Sequence, residues 1–171
     1  FYGEPLIRAI GAFPVRAHIA GDYYWNFADC DAKPTLDGER LYRYGERTRN
    51  AALMALGAEV FDLRRVLSLP DTPQMNRALL SLFANMPAPR GLSQARGGAE
   101  RTERPARNAY TALPDLQVFA WRVDGLYAAI KGGHNGENHN HNDVGSLIVY
   151  ADGEPHIVDA GNMTYTAKTF S

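Results

Sequence analysis

Two stretches in the second half of the chain decide its fold. Residues 116–131 read LQVFAWRVDGLYAAIK, and residues 146–160 read SLIVYADGEPHIVDA. In each stretch two apolar runs flank an Asp-Gly pair, which is a strong short-range signal for a two-residue hairpin turn. The pattern predicts four strands, over residues 116–123, 126–131, 146–151 and 156–160. We therefore expect antiparallel β structure in this half of the chain.

The first half of the chain, to about Ala88, has helical spacing instead. Apolar residues recur at three- and four-residue intervals, which predicts helices over residues 6–15, 41–60 and 75–83. Residues 21–31, GDYYWNFADCD, are rich in aromatic side chains and end in acids, and we expect them to form a loop. Residues 87–108 are rich in Pro, Gly and Arg without apolar periodicity, which is typical of a linker or a long surface loop.

Helices followed by strands indicate the α+β fold class, with a helical part joined to an antiparallel β-sheet part. We expect a helical segment at residues 1–88, a linker or long loop at 89–112, and the start of an antiparallel β domain at 113–171. The chain begins at Phe1 without an initiator Met or a signal peptide and ends at Ser171, just after a strand-like run. We therefore expect it to be part of a longer, multidomain protein.

The composition excludes several classes of protein. The 171 residues are 45% hydrophobic and 22% charged, which is ordinary for a folded globular chain. The net charge of −1 gives no indication of a nucleic-acid partner. Cys30 is the single cysteine, which excludes an internal disulfide and a Cys-based zinc knuckle, and we expect it to be inert. No apolar run in the sequence is long enough to predict a membrane span.

A polar segment between the two predicted hairpins carries the chemistry. Residues 132–143 read GGHNGENHNHND, a density of His, Asn and carboxylate that is costly to bury. In an extended segment His139 and His141 point to the same face. A hairpin would bring Asp159 near them, and two imidazoles with a carboxylate suit zinc or a similar divalent ion. The alternative is a hydrogen-bonded polar loop that holds no metal.

This region strongly resembles the heparinase II/III-like polysaccharide lyases. In that family an H-x-H-x-D run leads into a strand and a turn, and a second strand ends in D-x-G near a Tyr. The matching residues here are His139-Asn140-His141-Asn142-Asp143, Asp152-Gly153, Asp159-Ala160-Gly161 and Tyr165. The resemblance covers about the last forty residues, and the helices before it are similar to the end of the family's (α/α) toroid. It implies a helical toroid followed by an antiparallel, β-sandwich-like sheet domain.

The resemblance also implies roles for individual residues. His139 matches the family's catalytic histidine, and His141 with Asp159 matches two ligands of a metal ion, usually zinc, whose third ligand would lie beyond Ser171. The family's catalytic Tyr and the residue that neutralises the substrate carboxylate are expected upstream of Phe1. Among the neighbouring residues, His134, Asn138 and Asn140 are weaker candidates for contacts with sugar hydroxyls, and Asp143 for supporting the loop.

The implied reaction is β-elimination in a uronic-acid polysaccharide. The enzyme removes the C5 proton, alpha to the carboxylate, and expels the glycosidic oxygen from C4. A base abstracts the proton while hydrogen bonds or positive charge stabilise the enolate-like intermediate, and His139 suits the role of base. Heparan, chondroitin, alginate and other uronate polymers all fit this chemistry. The resemblance places the protein in the periplasm or outside the cell, and the oligomeric state stays open.

Two other functions compete with the lyase. Gly133 followed by His139-x-His141 imitates the start of a cupin motif, but the Glu expected three or four residues later is Gly145 or Ser146 here. A non-catalytic relative could instead bind acidic glycans without cleaving them.

Three further expectations concern single residues. Trp121 and Tyr127 are expected in the core. The carboxylate pair Asp29 and Asp31 is expected to contact either substrate or a neighbouring part of the toroid, and it is weak as a glycosidase acid/base pair. His156 is expected to have no role beyond its strand.

Overall fold

The structure is a computed structural model that describes residues 1–61, 108–136, 139 and 142–161. The helices in these residues are α1 (Pro5–Ala17), α2 (Gly38–Thr48) and α3 (Ala51–Val60). The strands are β1 (His18–Ala20), β2 (Tyr23–Tyr24), β3 (Asn108–Leu113), β4 (Val118–Val123), β5 (Leu126–Lys131), β6 (Leu147–Ala151) and β7 (Glu154–Ile157). The chain divides into two compact units. Among described residues, the helical unit holds 1–16 and 35–61, and the sheet unit holds 17–34 and the residues from 108 onward.

The first helix of the helical unit is predicted correctly, and the second is not. The segment expected to form one helix over residues 41–60 forms α2 and α3, because Arg49 takes a left-handed conformation (φ 56°) between them. The side chain of Asn50 then caps α3 by accepting a hydrogen bond from the backbone N–H of Leu53 (3.0 Å). The apolar periodicity continues across this break, so periodicity alone does not reveal it. The helix predicted over 75–83 lies outside the described residues.

The two helices α2 and α3 pack at very short range through glycine. A Cβ on Gly57 would lie 2.4 Å from the backbone nitrogen of Tyr42, and one on Gly38 would lie 2.6 Å from the carbonyl oxygen of Gly57. Both contacts are with backbone atoms, which cannot swing aside as a flexible side chain can. The sequence therefore uses glycine on both helices to bring their backbones together.

The sheet unit is built on a five-stranded antiparallel sheet in the order β3-β4-β5-β6-β7. Both predicted hairpin turns are confirmed, and the residues of each Asp-Gly pair have positive φ, at 42° and 86° in the first and 50° and 88° in the second. Strand β7 is shorter than predicted, so Asp159 follows the strand instead of lying in it. Strand β3 covers residues that the sequence analysis assigns to the linker. The Pro-, Gly- and Arg-rich composition of residues 87–108 gives no signal for the residue at which β3 begins to pair with β4.

One face of this sheet is covered by residues 17–34. The expected loop over 21–31 contains strand β2, which pairs with β1 and lies in the same unit as the sheet. Buried side chains of this segment include Ile19, Tyr24, Trp25 and Phe27. Buried side chains on the covered face of the sheet include Val118, Ala120, Tyr127, Ala129, Ile148 and Tyr150. The core of the sheet unit lies between these two sets.

The opposite face of the sheet is apolar and exposed. Trp121, which the sequence places in the core, is 43% exposed and stacks beside Tyr110 with ring centroids 5.7 Å apart. The prediction for Trp121 is wrong because alternation separates the two faces of a strand without telling which of them is covered. Tyr127, on the other face, is 5% exposed, as predicted. The exposed face also includes Val123, Leu126, Ile130, Leu147 and Ile157.

These elements confirm a mixed α+β class with helices before an antiparallel sheet. Within the described ranges, no helix combines the length and the apolar character that crossing a membrane requires.

Candidate functional site

A buried hydrogen bond anchors the aromatic segment 23–31 to the sheet. The indole N–H of Trp25 donates to the hydroxyl of Tyr127, and both side chains are buried. Burial raises the pKa of Tyr127 to about 12, with the bond from Trp25 and the nearby Arg122 opposing the rise. The phenol therefore stays neutral at physiological pH and remains an uncharged partner for the indole.

Arg122 holds β1, the strand that precedes this segment. Its guanidinium donates hydrogen bonds to the carbonyl oxygens of His18 (3.1 Å) and Ile19 (2.8 Å). The guanidinium carbon lies 4.6 Å from the centre of the Tyr127 ring, within range of a cation–π contact. Burial lowers the pKa of the Arg122 guanidinium below its ordinary value. Charge-assisted bonds of this kind fix the backbone of β1 against the sheet.

Three residues close together in the aromatic segment contact three of the predicted site positions. Asn26 donates its side-chain N–H to the carbonyl oxygen of Asp159 (3.3 Å). The backbone N–H of Ala28 donates to the Asp143 carboxylate (2.7 Å). Asp29 contacts His139, which lies 110 residues later in the chain. The segment predicted to be a plain loop therefore ties the described parts of the candidate site together.

The contact between Asp29 and His139 is the most informative of the three. The Oδ2 atom of Asp29 lies 2.6 Å from Nδ1 of His139. An ionised carboxylate only accepts hydrogen bonds, so the imidazole donates its Nδ1–H to Asp29. In a neutral imidazole with its hydrogen on Nδ1, the other ring nitrogen, Nε2, is the atom that can accept a proton. The His139 side chain is 74% exposed and that of Asp29 is 37% exposed, so a ligand in solution can reach both.

The backbone around this pair adopts an uncommon conformation. Ala28, His139 and Asn142 all have positive φ, at 59°, 60° and 60°. Residues with a Cβ rarely adopt the left-handed region, which costs free energy, and such residues cluster at functional sites. The surrounding contacts, including the bond from Ala28 to the buried Asp143, hold the segment in this form.

The carboxylate of Asp159 accepts one hydrogen bond from its own turn and one from the residue just before β6. Its Oδ1 accepts the backbone N–H of Gly161 (2.8 Å), and its Oδ2 accepts the hydroxyl of Ser146. Each carboxylate oxygen has a second lone pair, so these bonds leave acceptor capacity for a cation. The predicted second ligand, His141, lies outside the described residues. Within the part of the chain that the structure describes, no group of three or more His, Cys, Asp or Glu side chains is placed to hold a metal ion.

Of the remaining predicted site residues, the structure describes His134 and Asp143 but not Asn138 and Asn140. Nδ1 of His134 accepts the backbone N–H of Gly136 (3.2 Å), a contact within its own loop. Asn138 and Asn140 lie outside the described residues. Asp143 is buried, and its carbonyl oxygen also accepts the backbone N–H of Ser146 (2.9 Å). The role that Asp143 performs in the structure is to hold the backbone of both polar segments.

A cavity of about 330 Å³ lies beside Asp159 and is lined by Tyr23, Asn26, Cys30, Asp31 and Tyr150 among others. Burial, followed by the charges of Asp31 and Asp29, raises the pKa of the Cys30 thiol. A protonated thiol is a poor nucleophile, which agrees with the expectation that Cys30 is inert.

Sequence reasoning gave Asp29 a minor place, as half of a carboxylate pair with Asp31. The sequence signal that could have pointed to Asp29 is its position at the end of an aromatic run. Such a run predicts a segment whose rings pack into a core, which would hold a carboxylate beside them in a fixed place. Its partner, however, is a long-range contact that no local pattern encodes.

Neither a scan against protein-family models nor a search of curated proteins finds a match for this chain. The resemblance drawn from residues 132–171 therefore stays a prediction.

Proposed function

We propose that this chain is part of a polysaccharide lyase that cleaves uronic-acid-containing polysaccharides by β-elimination, with His139 as the catalytic base. The observation that carries the proposal is the 2.6 Å contact between Asp29 and Nδ1 of His139. A carboxylate behind an exposed imidazole fixes its tautomer and its orientation, as a general base requires.

In the proposed reaction Nε2 of His139 takes the C5 proton of the uronate. The electron pair left at C5 forms the C4=C5 double bond as the bond from C4 to the glycosidic oxygen breaks. The leaving oxygen is protonated by a group of the longer protein, for which we propose the tyrosine expected upstream of Phe1. Asp29 keeps its hydrogen bond to Nδ1 throughout, and it stabilises the imidazolium that forms when His139 accepts the proton.

A divalent metal, zinc by its donor set, is proposed to bind at His141 and Asp159 with a third protein ligand beyond Ser171. Imidazole and carboxylate donors suit zinc, and Asp159 has acceptor capacity left after its bonds to Ser146 and Gly161. The chemistry that the metal supplies is structural: it holds the segment that carries His139 in place.

The exposed apolar faces support the finer fold proposal, a helical toroid joined to a β-sandwich. Helix α1 exposes Leu6, Ile10 and Phe13, which share one face of the helix and suit packing against further helices. The exposed sheet face around Trp121 suits packing by a second sheet, because contiguous apolar surface of this kind is uncommon on a finished monomer. A periplasmic or extracellular location belongs to the same proposal, since uronate polymers are degraded outside the cytoplasm.

The test is to incubate the full-length protein with a panel of uronate polysaccharides and to follow the near-UV absorbance of the new C4=C5 double bond. The panel includes heparan sulfate, chondroitin sulfate and alginate. We expect a rise in absorbance on at least one polymer, and a loss of about 10²–10⁴-fold in rate for His139→Ala.

The matched control is His156→Ala, which removes an exposed imidazole from β7 of the same sheet and is expected to leave the rate unchanged. No absorbance rise on any polymer, from folded protein supplied with zinc, contradicts the lyase and favours a glycan-binding relative. A rise that His139→Ala leaves unchanged keeps the lyase but contradicts the assignment of its base.

A further inference from the structure

Three arginines line a second cavity, which belongs to the helical unit. Arg8 and Arg16 project from α1, and Arg49 lies in the turn between α2 and α3. The cavity has a volume of about 490 Å³, and Thr48 and Asn50 add polar atoms to its lining. Among the described residues its lining contains no acidic side chain, so three arginines share one cavity wall without a carboxylate beside them there.

Helix α1 fixes the positions of Arg8 and Arg16 relative to each other. Arg8 and Arg16 are eight residues apart and share one face of α1, and the small side chain of Ala12 between them leaves room for a ligand. The Tyr44 hydroxyl donates to the carbonyl oxygen of Ile7 (2.9 Å), which ties α1 to α2. The cavity therefore lies on packed helices.

The turn that carries Arg49 is also held in place. The backbone N–H of Arg49 bonds to the carbonyl oxygens of Glu46 and Gly45 at the end of α2. Arg49 has φ 56° at this turn and is among the residues that line the cavity.

The charges in this cavity differ from those on α2. Within residues 1–61, the arginines that form ion pairs with carboxylates are Arg40, with Asp37 (3.5 Å), and Arg43, with Glu39 (3.0 Å). These pairs lie along α2 and help to stabilise it. The arginines of the cavity instead share their lining with Thr48 and Asn50, an arrangement that suits an anionic ligand.

We propose that this cavity binds the carboxylate or sulfate groups of an acidic polysaccharide. Guanidinium groups bind such planar or tetrahedral anions through paired hydrogen bonds. The described part of the lining contains no aromatic side chain, whereas single-stranded nucleic acid is bound mainly on aromatic platforms. The choice of a polysaccharide among polyanions rests on the proposed function. The inference that the cavity binds an anion rests on its arginines alone.

The test measures binding without cleavage, in full-length protein that carries His139→Ala. Fluorescence anisotropy with labelled alginate and heparin oligosaccharides is compared between this protein and the same protein with Arg8→Gln and Arg16→Gln. The control carries Arg40→Gln and Arg47→Gln, which removes two charges from one neighbouring helix. We expect the cavity variant to bind about tenfold more weakly and the control to change by less than about twofold.

A single Arg49→Gln variant is a second probe, because it keeps the side chain polar at the same backbone position and is expected to weaken binding about threefold. Comparison of the two oligosaccharides separates carboxylate from sulfate recognition, since alginate carries carboxylates alone. Equal loss in the cavity and control variants overturns the proposal, because it would show a response to net charge only. Unchanged binding in both cavity variants overturns it as well.

Tighter binding of a single-stranded DNA oligomer than of either glycan overturns the choice of ligand. This test is independent of the lyase assay. Loss of binding in the cavity variants supports the site even if the unaltered protein produces no absorbance rise on any polymer.

Discussion

The two faces of the five-stranded sheet are built from similar residues but differ in what covers them. On one face, Trp25 binds the aromatic segment to Tyr127 of the sheet, and Arg122 of the sheet binds the backbone of β1. On the other face, Trp121 and Tyr110 stack on each other and stay exposed. The covered face holds the candidate site in position, whereas the exposed face is the surface that we propose a further part of the protein covers.

This difference separates the positioning of the site from the covering of the second face. The segment 23–31 contacts the sheet, the polar loop and the turn after β7, so the described site residues are positioned within the sheet unit alone. Exposed apolar area on the other face is unfavourable in water by roughly 25 cal/mol for each Å². The comparison therefore predicts unequal effects when the same residue type is changed on the two faces.

The largest expected effect concerns the two tryptophans. Trp25 is 4% exposed and Trp121 is 43% exposed. In this chain, Trp25→Ala is expected to lower the free energy of unfolding by about 3–5 kcal/mol, because it removes a fully buried ring. Trp121→Ala is expected to lower it by about 1 kcal/mol, mostly from the lost ring contact with Tyr110. Urea unfolding of both variants measures the difference.

Equal losses for the two tryptophans would contradict the comparison, because they would mean that both faces are packed in this chain. Repeating Trp121→Ala in the full-length protein sharpens the test. A larger loss there than in the chain alone is expected if a further part of the protein covers this face.

A smaller effect is expected from the ionisation of Tyr127. Its pKa is raised by burial from 10.0 to about 12 in the folded protein. The neutral phenol is therefore favoured by folding, and its contribution is fully present below pH 10 and is lost as the pH rises toward 12. A shift of this size corresponds to about 2–3 kcal/mol.

The measurement is the unfolding free energy of the wild type and of Tyr127→Phe between pH 8 and pH 12. The variant lacks the ionising group, so its stability is expected to fall less steeply over the upper part of this range. At neutral pH it is expected to lose about 1–2 kcal/mol, because the buried indole N–H of Trp25 loses its acceptor. Parallel pH profiles for the two proteins would contradict the role of the buried phenol.

Local patterns were enough to predict much of the sheet. The pairs at Asp124 and Asp152 predict tight turns because Asp and Gly tolerate positive φ, and both turns form where expected. The break at Arg49 is harder to predict, since apolar spacing continues across it, although Asn50 is a recognisable helix cap. The covered face of the sheet could not be predicted, because alternation treats Trp121 and Tyr127 alike.

The candidate site was predicted only in part, for a different physical reason. A cluster of His, Asn and Asp is visible in sequence, since such residues rarely fill a core. The carboxylate that bonds to His139 is not visible in the same way, because Asp29 reaches it through the folding of a segment 110 residues away. The anchors of that segment, Trp25 and Tyr127, are themselves a long-range pair.

The contact between Asp29 and His139 can be tested by asking whether the two residues act together in catalysis. In full-length protein, the rate of formation of the C4=C5 double bond is measured for Asp29→Ala and for Asp22→Ala, which changes an exposed acid just before the segment 23–31. We expect a fall of at least about tenfold in kcat for Asp29→Ala with little change in KM, and a near wild-type rate for Asp22→Ala. A wild-type kcat in Asp29→Ala, alongside a large loss in His139→Ala, would contradict the central claim that this carboxylate prepares the base.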